Sequence, residues 1–181
     1  MKWKVIESKY LFRVPWLTVR KDTCQTPGGK IIPSFYVMEY PDWANAFCLT
    51  KEGQVVMVKQ YRHGLGEESI ELPGGVVEAD ESLDDGVKRE LLEETGYRFD
   101  KVEYLGKISA NPSTTNNLMH MYLATGGEKV AEQNLDEEEE VEVLYFSINE
   151  VKQMVREQKI MQSLHVNCIM YAFEKLGELH Y

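Results

Sequence analysis

The sequence has little cysteine and no long apolar run. Its three cysteines, Cys24, Cys48 and Cys168, are odd in number and widely spaced, without a CxxC pair or a zinc-like pattern around them. This usage argues against a disulfide scaffold or a structural zinc site and favours a reduced, cytoplasmic setting. Charged residues interrupt the amino terminus every few positions and no segment reaches the length of a membrane span, so we expect neither a signal peptide nor a membrane partner.

Basic charge is also scarce. The chain contains 20 Lys and Arg against 30 Asp and Glu, which gives a formal net charge of -10. Long nucleic acids and anionic membrane surfaces are recognised through a basic footprint, so we exclude both as partners. An anionic metabolite would be repelled unless positive charge lay between it and the protein, and bound divalent cations are the simplest source of that charge.

Length and turn signals organise the chain. Its 181 residues suffice for one well-filled core but not for two ordinary domains. Residues 1–42 alternate apolar and polar positions around turn signals, which predicts a small antiparallel N-terminal β subdomain. Residues 43–181 then form the main domain, which carries the chemistry.

The main domain mixes strands with helices. Residues 44–50 and 54–62 predict a hairpin around a turn at residues 51–53, and a short strand at residues 69–72 leads into a Pro-Gly-Gly loop. The remaining predicted elements are strands at residues 101–110, 118–125 and 141–147 and helices at residues 82–95, 149–158 and 161–176.

The first of these helices, residues 82–95, has clear ends. Ser82 and Asp85 form a Ser-x-x-acid capping pair, and Gly96 is a natural C-terminal stop. Gly86 lies inside the helix, where glycine costs about 1 kcal/mol against alanine, so we expect it to leave room for a ligand or a close backbone. The apolar stripe that docks the helix on a sheet consists of Leu83, Val87 and Leu91.

Carboxylates converge on another face of this helix. Glu90, Glu93 and Glu94 stand three and four residues apart, which places their side chains one turn apart. Such hard oxygen ligands suit Mg²⁺ or Mn²⁺, which bind a few carboxylates together with water and substrate phosphates. Arg89 can reach a neighbouring carboxylate and hold it ionised. Taken alone, however, these residues would also fit an ordinary solvated helix face.

The wider spacing favours a functional site. The segment GVVEADESLDDGVKRELLEETGY, which begins at Gly75, resembles the Nudix box at every specified position. This similarity to Nudix hydrolases implies an α+β fold, an α/β/α sandwich with a mixed sheet, to which the small N-terminal antiparallel sheet is added. The box residues of this chain are Gly75, Glu81, Arg89, Glu90, Leu91, Glu93, Glu94, Gly96 and Tyr97.

The resemblance implies a role for each box residue. It assigns metal ligation to Glu90 and Glu94, with Glu93 in or beside the cluster and the carbonyl oxygen of Gly74 completing it. The resemblance thereby makes Arg89 and Glu93 candidate catalytic residues. The residues that support the box structurally are Gly75, Glu81 and Gly96. The implied reaction is an in-line attack of water on phosphorus, with Mg²⁺ as cofactor and Mn²⁺ as a substitute.

Such a reaction also needs a general base. The acidic run at residues 136–140 precedes a predicted strand, where a carboxylate on a flexible loop could swing over the metal site. Most of this run is expected to be solvated. We favour Glu139 as the base, followed by Glu140.

Outside the box, the sequence resembles the branch of the family that hydrolyses ADP-ribose and other nucleoside diphosphate sugars. The branch features are Gln60-Tyr61-Arg62, the run at residues 71–75 that leads into the box, and Pro112, which lies sixteen residues after Gly96. Arg62 could contact a phosphate, but it fits a surface ion pair equally well. Glu71 could bind a sugar hydroxyl, assist metal binding or simply occupy a strand edge.

Two features qualify the choice of substrate. The loop at residues 111–117 departs from the branch, because Asn117 stands where an acidic residue is typical. In this branch the N-terminal sheet often exchanges between subunits and supplies aromatic side chains to the base, which implies a homodimer with Trp16 and Tyr36 as substrate-binding candidates and Phe35 as a third. Aromatic strand residues are more often core. His120 is interpreted as a hydrogen-bonded core histidine.

These inferences together predict metal-dependent hydrolysis of ADP-ribose or a related nucleoside diphosphate sugar. Two alternatives stay open, a hydrolase of modified nucleoside triphosphates and a non-catalytic, metabolite-sensing Nudix domain. The box carboxylates and the lack of a basic DNA-binding segment favour hydrolysis.

Overall fold

The computed structural model describes residues 1–179. The chain forms two compact units, one containing Met1–Pro41 with Ser109–Leu118, the other containing Asp42–Ile108 and the chain from Met119 onward. The first unit includes residues 109–118 because this loop contacts the chain near Met38. The Met38 N–H donates a hydrogen bond to the Thr114 carbonyl at 2.8 Å.

The N-terminal unit is a three-stranded antiparallel sheet, as expected. Its strands are β1 (Lys4–Val14), β2 (Leu17–Gln25) and β3 (Ile31–Glu39), in the order β1-β2-β3. A turn joins β2 to β3, where Gly29 adopts a φ of 83° and its N–H donates to Thr26 O at 2.9 Å. Glycine suits this position because a left-handed φ strains other residues.

The second unit contains an eight-stranded sheet and three helices. The central strand order is β11-β5-β4-β10-β8, with β6 paired to β5, β7 to β4 and β9 to β10. The strands are β4 (Trp43–Thr50), β5 (Val55–Arg62), β6 (Glu67–Glu71), β7 (Gly74–Val76), β8 (Tyr97–Arg98), β9 (Lys101–Ser109), β10 (Leu118–Lys129) and β11 (Val141–Phe146). The helices are α1 (Leu83–Thr95), α2 (Ile148–Arg156) and α3 (Ser163–Leu176).

The sheet is mixed, as the resemblance implied. Strand β10 runs parallel to β4, with Met119 opposite Trp43, while β4 and β5 pair antiparallel as the predicted hairpin. Successive side chains of the central strands point to opposite faces of the sheet and are buried on both, as expected for a sheet covered on both sides. On β4, Phe47 packs in the cluster with α2 and α3, whereas Ala46 and Cys48 pack in the cluster with α1. The result is an α/β/α sandwich.

Several boundaries differ from the sequence prediction. Strand β6 begins at Glu67 rather than residue 69, because pairing with β5 continues to Arg62 opposite Glu67. Strand β10 continues to Lys129 rather than residue 125, because its end pairs with the unpredicted strand β8. The Pro-Gly-Gly loop contains a short strand, β7, whose Gly74 lies opposite Asn45 of β4.

Two further observations concern the chain as a whole. The three cysteines are buried free thiols. In the part of the chain that the structure describes, no helix combines the length and the apolar character needed to cross a membrane.

Candidate active site

Helix α1 is the platform of the site. The Ser82 hydroxyl caps its start by accepting a hydrogen bond from the Asp85 N–H at 3.1 Å. Its end is fixed by Gly96, which adopts a left-handed φ of 73°. A Cβ at Gly96 would collide with the carbonyl oxygen of Ala131, so both backbone conformation and space require glycine there.

Two glycines bring the β7 backbone against this helix. Gly74 has a φ of 143°, and a Cβ there would collide with the Ala44 carbonyl on β4. A Cβ on Gly75 would lie 2.6 Å from the carboxylate of Glu90. The missing side chains therefore allow the Gly-Gly turn to pack between strand β4 and the helix carboxylates.

Glu94 is the most buried of the helix carboxylates. Its relative exposure is 6%, and its Oε2 accepts a hydrogen bond from the Gly74 N–H at 2.7 Å. Burial raises the pKa of Glu94 to about 8, although the Gly74 hydrogen bond opposes this shift. The folded protein without a bound cation therefore keeps this carboxyl largely protonated at neutral pH.

Glu90 lies one turn earlier on the same face. Burial raises its pKa to about 6, opposed by the neighbouring Arg89 guanidinium and reinforced by the negative charges of Glu93 and Glu139. The charge of Glu139 also raises the pKa of Glu94. A carboxylate of the acidic loop thus acts electrostatically on both helix carboxylates.

Arg89 connects the residues around the helix. Its Nη1 donates to Glu90 Oε1 at 3.0 Å and to Glu93 Oε2 at 2.8 Å, while its Nε and Nη2 hold both oxygens of Glu81. Nη2 also donates to the Val76 carbonyl at 3.0 Å. Hydrogen bonds to Glu81 are the main reason that the pKa of Arg89 rises above its usual range. This arginine fixes Glu90 relative to the β7 strand.

Glu81 occupies the space that Gly86 provides. A Cβ at position 86 would lie 2.8 Å from Glu81 Oε1, and that oxygen also accepts the Glu78 N–H at 2.8 Å. The space beside Gly86 was predicted to hold a ligand or a close backbone, but the Glu81 side chain occupies it. Glycine in mid-helix therefore serves the contact between Glu81 and Arg89.

Arg62 and Glu71, the last residues of strands β5 and β6, form a bidentate ion pair. Arg62 Nε donates to Glu71 Oε1 at 3.0 Å and Nη2 donates to Oε2 at 2.6 Å. The Glu71 side chain is 2% exposed and the Arg62 side chain 45%. The sequence allowed either a phosphate contact or an ion pair for Arg62, and the ion pair is present. The exposed part of the Arg62 side chain still faces solvent, where a phosphate could approach.

Glu71 has a second partner that sequence reasoning did not identify. His165 of α3 lies with its Nε2 3.3 Å from Glu71 Oε2. Burial alone would raise the pKa of Glu71, but hydrogen bonds from Arg62 and His165 outweigh it and lower the pKa to about 2. Glu71 is thus a buried, permanently ionised carboxylate. The only sequence signal for His165 was a histidine within an amphipathic helix, which is usually a core residue.

The donor set fits a small, hard cation. Among residues 1–179, no three histidine, cysteine or carboxylate side chains form a ready-made metal site. Mg²⁺ does not require one, because it usually takes one or two carboxylates and completes its shell with water and phosphate. Glu90 and Glu94, both with raised pKa values, would lose that electrostatic penalty beside a divalent cation. Glu93 Oε2 lies 2.8 Å from Arg89 Nη1, the same nitrogen that contacts Glu90 Oε1 at 3.0 Å.

The predicted general base lies on an exposed loop. Glu139 accepts a hydrogen bond from the Asp136 N–H at 3.3 Å, and its own N–H donates to the Asp136 carbonyl at 3.0 Å. Glu140 is exposed immediately before β11. Of these two residues, Glu139 is the one whose charge acts on Glu90 and Glu94.

The predicted aromatic residues belong to the N-terminal unit. Trp16 is 86% exposed in the turn between β1 and β2, where it adopts a φ of 65°, and Tyr36 is 53% exposed on β3. Phe35 packs edge-on against Trp3, with ring centroids 6.1 Å apart. Asn117 is buried and donates through Nδ2 to the Pro41 carbonyl at 3.0 Å, so its side chain braces the loop at residues 109–118.

His120 in the second unit is a structural histidine, as interpreted from the sequence. It is 5% exposed, its Nε2 lies 3.1 Å from Asp42 Oδ2, and its Nδ1 lies 3.2 Å from the Tyr104 hydroxyl. Both ring nitrogens are therefore engaged within the protein.

Comparisons with known proteins agree with this geometry. Residues 40–164 match the family described as NUDIX domain, and residues 3–38 match the family described as nucleoside diphosphate sugar hydrolase N-terminal domain. The boundary between the two matches lies close to the end of strand β3 at Glu39.

Similar proteins cover almost the whole chain. The methanol dehydrogenase activator of Bacillus methanolicus is 29% identical over 169 residues, which are 93% of this chain and 91% of that protein. The ADP-ribose pyrophosphatase of Bacillus subtilis (strain 168) is 27% identical over the same shares of the two chains. The crystal structure of an ADP compounds hydrolase superposes with a TM-score of 0.86 at 17% identity, covering 98% of this chain and 96% of that one, which shows the shared fold.

Proposed function

This chain belongs to the Nudix family and is a Nudix pyrophosphatase, and from that premise we propose that it hydrolyses the diphosphate linkage of ADP-ribose or a related nucleoside diphosphate sugar. The products are a nucleoside monophosphate and a sugar phosphate. One observation carries the proposal: the carboxylates of Glu90 and Glu94, both with raised pKa values, are held beside the Gly74-Gly75 turn. The pyrophosphatase relative in Bacillus subtilis and the N-terminal match support this substrate class.

We propose Mg²⁺ as the cofactor, with Mn²⁺ as a substitute. Glu90, Glu94 and the Gly74 carbonyl would hold the cation, and Arg89 keeps Glu90 in place by its hydrogen bond of 3.0 Å. When bound, the cation neutralises charge on the diphosphate and lowers the pKa of the attacking water. Glu93, whose Oε2 lies 2.8 Å from the same Arg89 nitrogen, would lie in or beside the cation site.

The reaction is a hydrolysis without a covalent enzyme intermediate. The water oxygen bonds to one phosphorus atom while the bond from that phosphorus to the bridging oxygen breaks. Glu139 accepts a proton from the water, and the departing phosphate carries away the bridging oxygen. The place of Glu139 on the acidic loop supports its role as the base, because its charge acts on both Glu90 and Glu94. Glu140 is the second choice.

Arg62 would bind the diphosphate of the substrate. Glu71 occupies its Nε and Nη2, and the 45% exposure of the side chain leaves the remaining edge of the guanidinium accessible to an anion. Because the ion pair fixes the plane of the guanidinium, a phosphate would meet a pre-oriented donor. Glu71 in this proposal orients Arg62 and does not itself contact the sugar.

The N-terminal unit is proposed to serve dimerisation and base binding. All eleven residues of β1 are exposed, among them several large apolar side chains that a partner subunit would cover. Trp16 and Tyr36 are exposed aromatic residues that could stack on a base. Light scattering on the purified protein tests the homodimer. The free, buried state of all three cysteines agrees with a cytoplasmic location.

A substrate panel tests the proposed function. The protein is incubated with Mg²⁺ and ADP-ribose, ADP-glucose, GDP-mannose, a dinucleoside polyphosphate or a nucleoside triphosphate, and the products are separated by chromatography. We expect the highest kcat/KM on a nucleoside diphosphate sugar. Preferred hydrolysis of a triphosphate would overturn the substrate class. Binding without turnover of any member would instead indicate a metabolite-sensing protein.

The same assay tests the general base with a matched pair. Glu139→Gln should lower kcat strongly, whereas Glu137→Gln, an exposed residue of the same loop, should leave it unchanged. Equal activities of the two variants would remove Glu139 from the mechanism and transfer the test to Glu140.

A further inference from the structure

The hydrogen bonds around His165 determine which of its ring nitrogens carries a proton. Its Nδ1 lies 3.2 Å from the Leu72 N–H, and a backbone N–H can only donate. Nδ1 must therefore carry a lone pair, and in neutral imidazole the proton then resides on Nε2. That nitrogen faces Glu71 Oε2 at 3.3 Å, where a donor is required by the ionised carboxylate.

Asn45 completes the arrangement from strand β4. Its Nδ2 lies 3.2 Å from the same His165 Nδ1, so the Asn45 amide and the Leu72 N–H share the single lone pair of that nitrogen. In the opposite amide orientation Asn45 Oδ1 would face the lone pair of Nδ1, acceptor to acceptor. In the orientation present, Asn45 Oδ1 is buried and has no hydrogen-bond partner among the described residues. The imidazole is thus held by two donors at one edge and one acceptor at the other.

We propose that His165 is a positioning residue for the diphosphate site, acting in two directions at once. Its Nε2–H orients Glu71 and, through Glu71, the Arg62 guanidinium. Its Nδ1 anchors the Leu72 N–H, two residues before Gly74, and thereby the Gly-Gly turn beside Glu94. This proposal rests on the proposed function, and His165 lies one residue beyond the range that matches the NUDIX domain.

Burial makes this arrangement rigid. His165 is 4% exposed, Asn45 1% and Glu71 1%, so water does not compete for their hydrogen bonds. His165 is carried by helix α3, whose neighbouring residues Leu164 and Ile169 are buried in the core. A change in helix α3 would therefore be transmitted directly to the ion pair and to the turn that hold the substrate and cation.

The two directions can be separated by two near-isosteric variants. In His165→Gln the side-chain amide NH₂ can take the place of Nε2–H and still donate to Glu71, but the acceptor at the Nδ1 position is lost. In His165→Asn the amide oxygen can take the place of Nδ1 and accept from Leu72 N–H, but the donor to Glu71 is lost. Met170→Gln, on an exposed part of the same helix, is the control.

Steady-state kinetics on the best substrate should split the two roles. His165→Asn should raise KM about 10-fold with little change in kcat, because Arg62 loses its orientation and substrate binding weakens in ground and transition states alike. His165→Gln should lower kcat about 10-fold or more with KM nearly unchanged, because the Gly74 turn shifts. Met170→Gln should match the wild type in both constants. A purely structural histidine would lower the fraction of folded protein without such a split.

A second measurement needs no activity. Long-range ¹H–¹⁵N NMR distinguishes the two nitrogens of each of the four histidines in the chain, and the signal missing in His165→Asn identifies His165. We expect an unprotonated Nδ1 and a protonated Nε2 at neutral pH. A proton on Nδ1 would overturn the proposal even if the enzyme were active.

The outcomes separate this proposal from the proposed function. If the wild type hydrolyses no member of the panel, the proposed function fails and the NMR result still decides the tautomer. If the wild type is active and both variants keep wild-type KM and kcat, the positioning role of His165 is refuted. If one variant does not fold, the other variant and the NMR measurement still decide.

Discussion

Replacing the ionisable Glu94 carboxyl with an amide, in Glu94→Gln, should stabilise the cation-free protein and abolish its activity. In Glu94→Gln the side-chain oxygen can still accept the Gly74 N–H, which now lies 2.7 Å from Oε2. The variant has no proton to lose. The wild-type carboxyl has a pKa of about 8 in the folded protein against a usual value near 4.5, so it must take up a proton on folding at pH values where the unfolded chain is ionised.

The magnitude follows from linkage. Because burial raises the folded-state pKa, the stabilising contribution of Glu94 is complete below about pH 4.5 and is lost as the pH rises toward 8. Each pKa unit between the two states corresponds to about 1.4 kcal/mol. At about pH 7.5 the free energy of unfolding of Glu94→Gln should therefore exceed that of the wild type by up to about 4 kcal/mol, and near pH 5 the difference should almost vanish.

Urea unfolding in excess EDTA, at several pH values between these limits, measures this difference. Glu137→Gln is the control, because this exposed carboxylate should show no pH-dependent gain. Added Mg²⁺ should stabilise the wild type but not Glu94→Gln. A difference that does not grow with pH, or a less stable variant near pH 7.5, would refute the account of Glu94 as a buried carboxyl awaiting a cation.

Three further substitutions test other parts of the site and fold. Arg89→Lys cannot hold three carboxylates at once and should lower kcat about 100-fold in the Mg²⁺-dependent assay; a wild-type kcat would show that the guanidinium contacts are incidental. Gly75→Ala places a Cβ 2.6 Å from the Glu90 carboxylate and should lower kcat by about the same factor, whereas Gly28→Ala, in open space, should change nothing. Ser147→Ala removes the capping box of α2 and should lower the free energy of unfolding by about 1 kcal/mol in urea with kcat/KM intact; a kinetic defect would contradict this.

Local sequence signals predicted the elements whose ends and buried face are marked within their own segment. Helix α1 followed from a cap, an apolar stripe and a terminal glycine, and Val87 and Leu91 are buried against the sheet as the stripe requires. The α/β/α arrangement and the mixed sheet followed from the resemblance to Nudix hydrolases. These features depend on short-range periodicity or on a fixed spacing within one segment.

Short strands could not be predicted in this way. Strands β7 and β8 have three and two residues, and each exists because a distant strand pairs with it, β4 in one case and β10 in the other. The strand predicted at residues 118–125 ended four residues too early. Its actual end near Lys129 is set by pairing with Tyr97 across the sheet.

The site was predictable to the extent that it lies in one continuous segment of the sequence. Glu81 and Arg89 are eight residues apart, and their pairing could be inferred from the box spacing. His165 and Asn45 meet across 120 residues, and only the packing of α3 on the sheet brings them together. No local pattern marks a histidine for such a contact.

We expect this Nudix chain to hydrolyse a nucleoside diphosphate sugar by means of Glu90 and Glu94. The most direct measurement follows ADP-ribose by ³¹P NMR with wild-type protein, with and without excess EDTA, and with Glu94→Gln. The diphosphate resonances should be replaced by those of two phosphate monoesters only with wild-type protein and Mg²⁺. Equal product formation by Glu94→Gln, or no hydrolysis of ADP-ribose or of any related nucleoside diphosphate sugar, would contradict it.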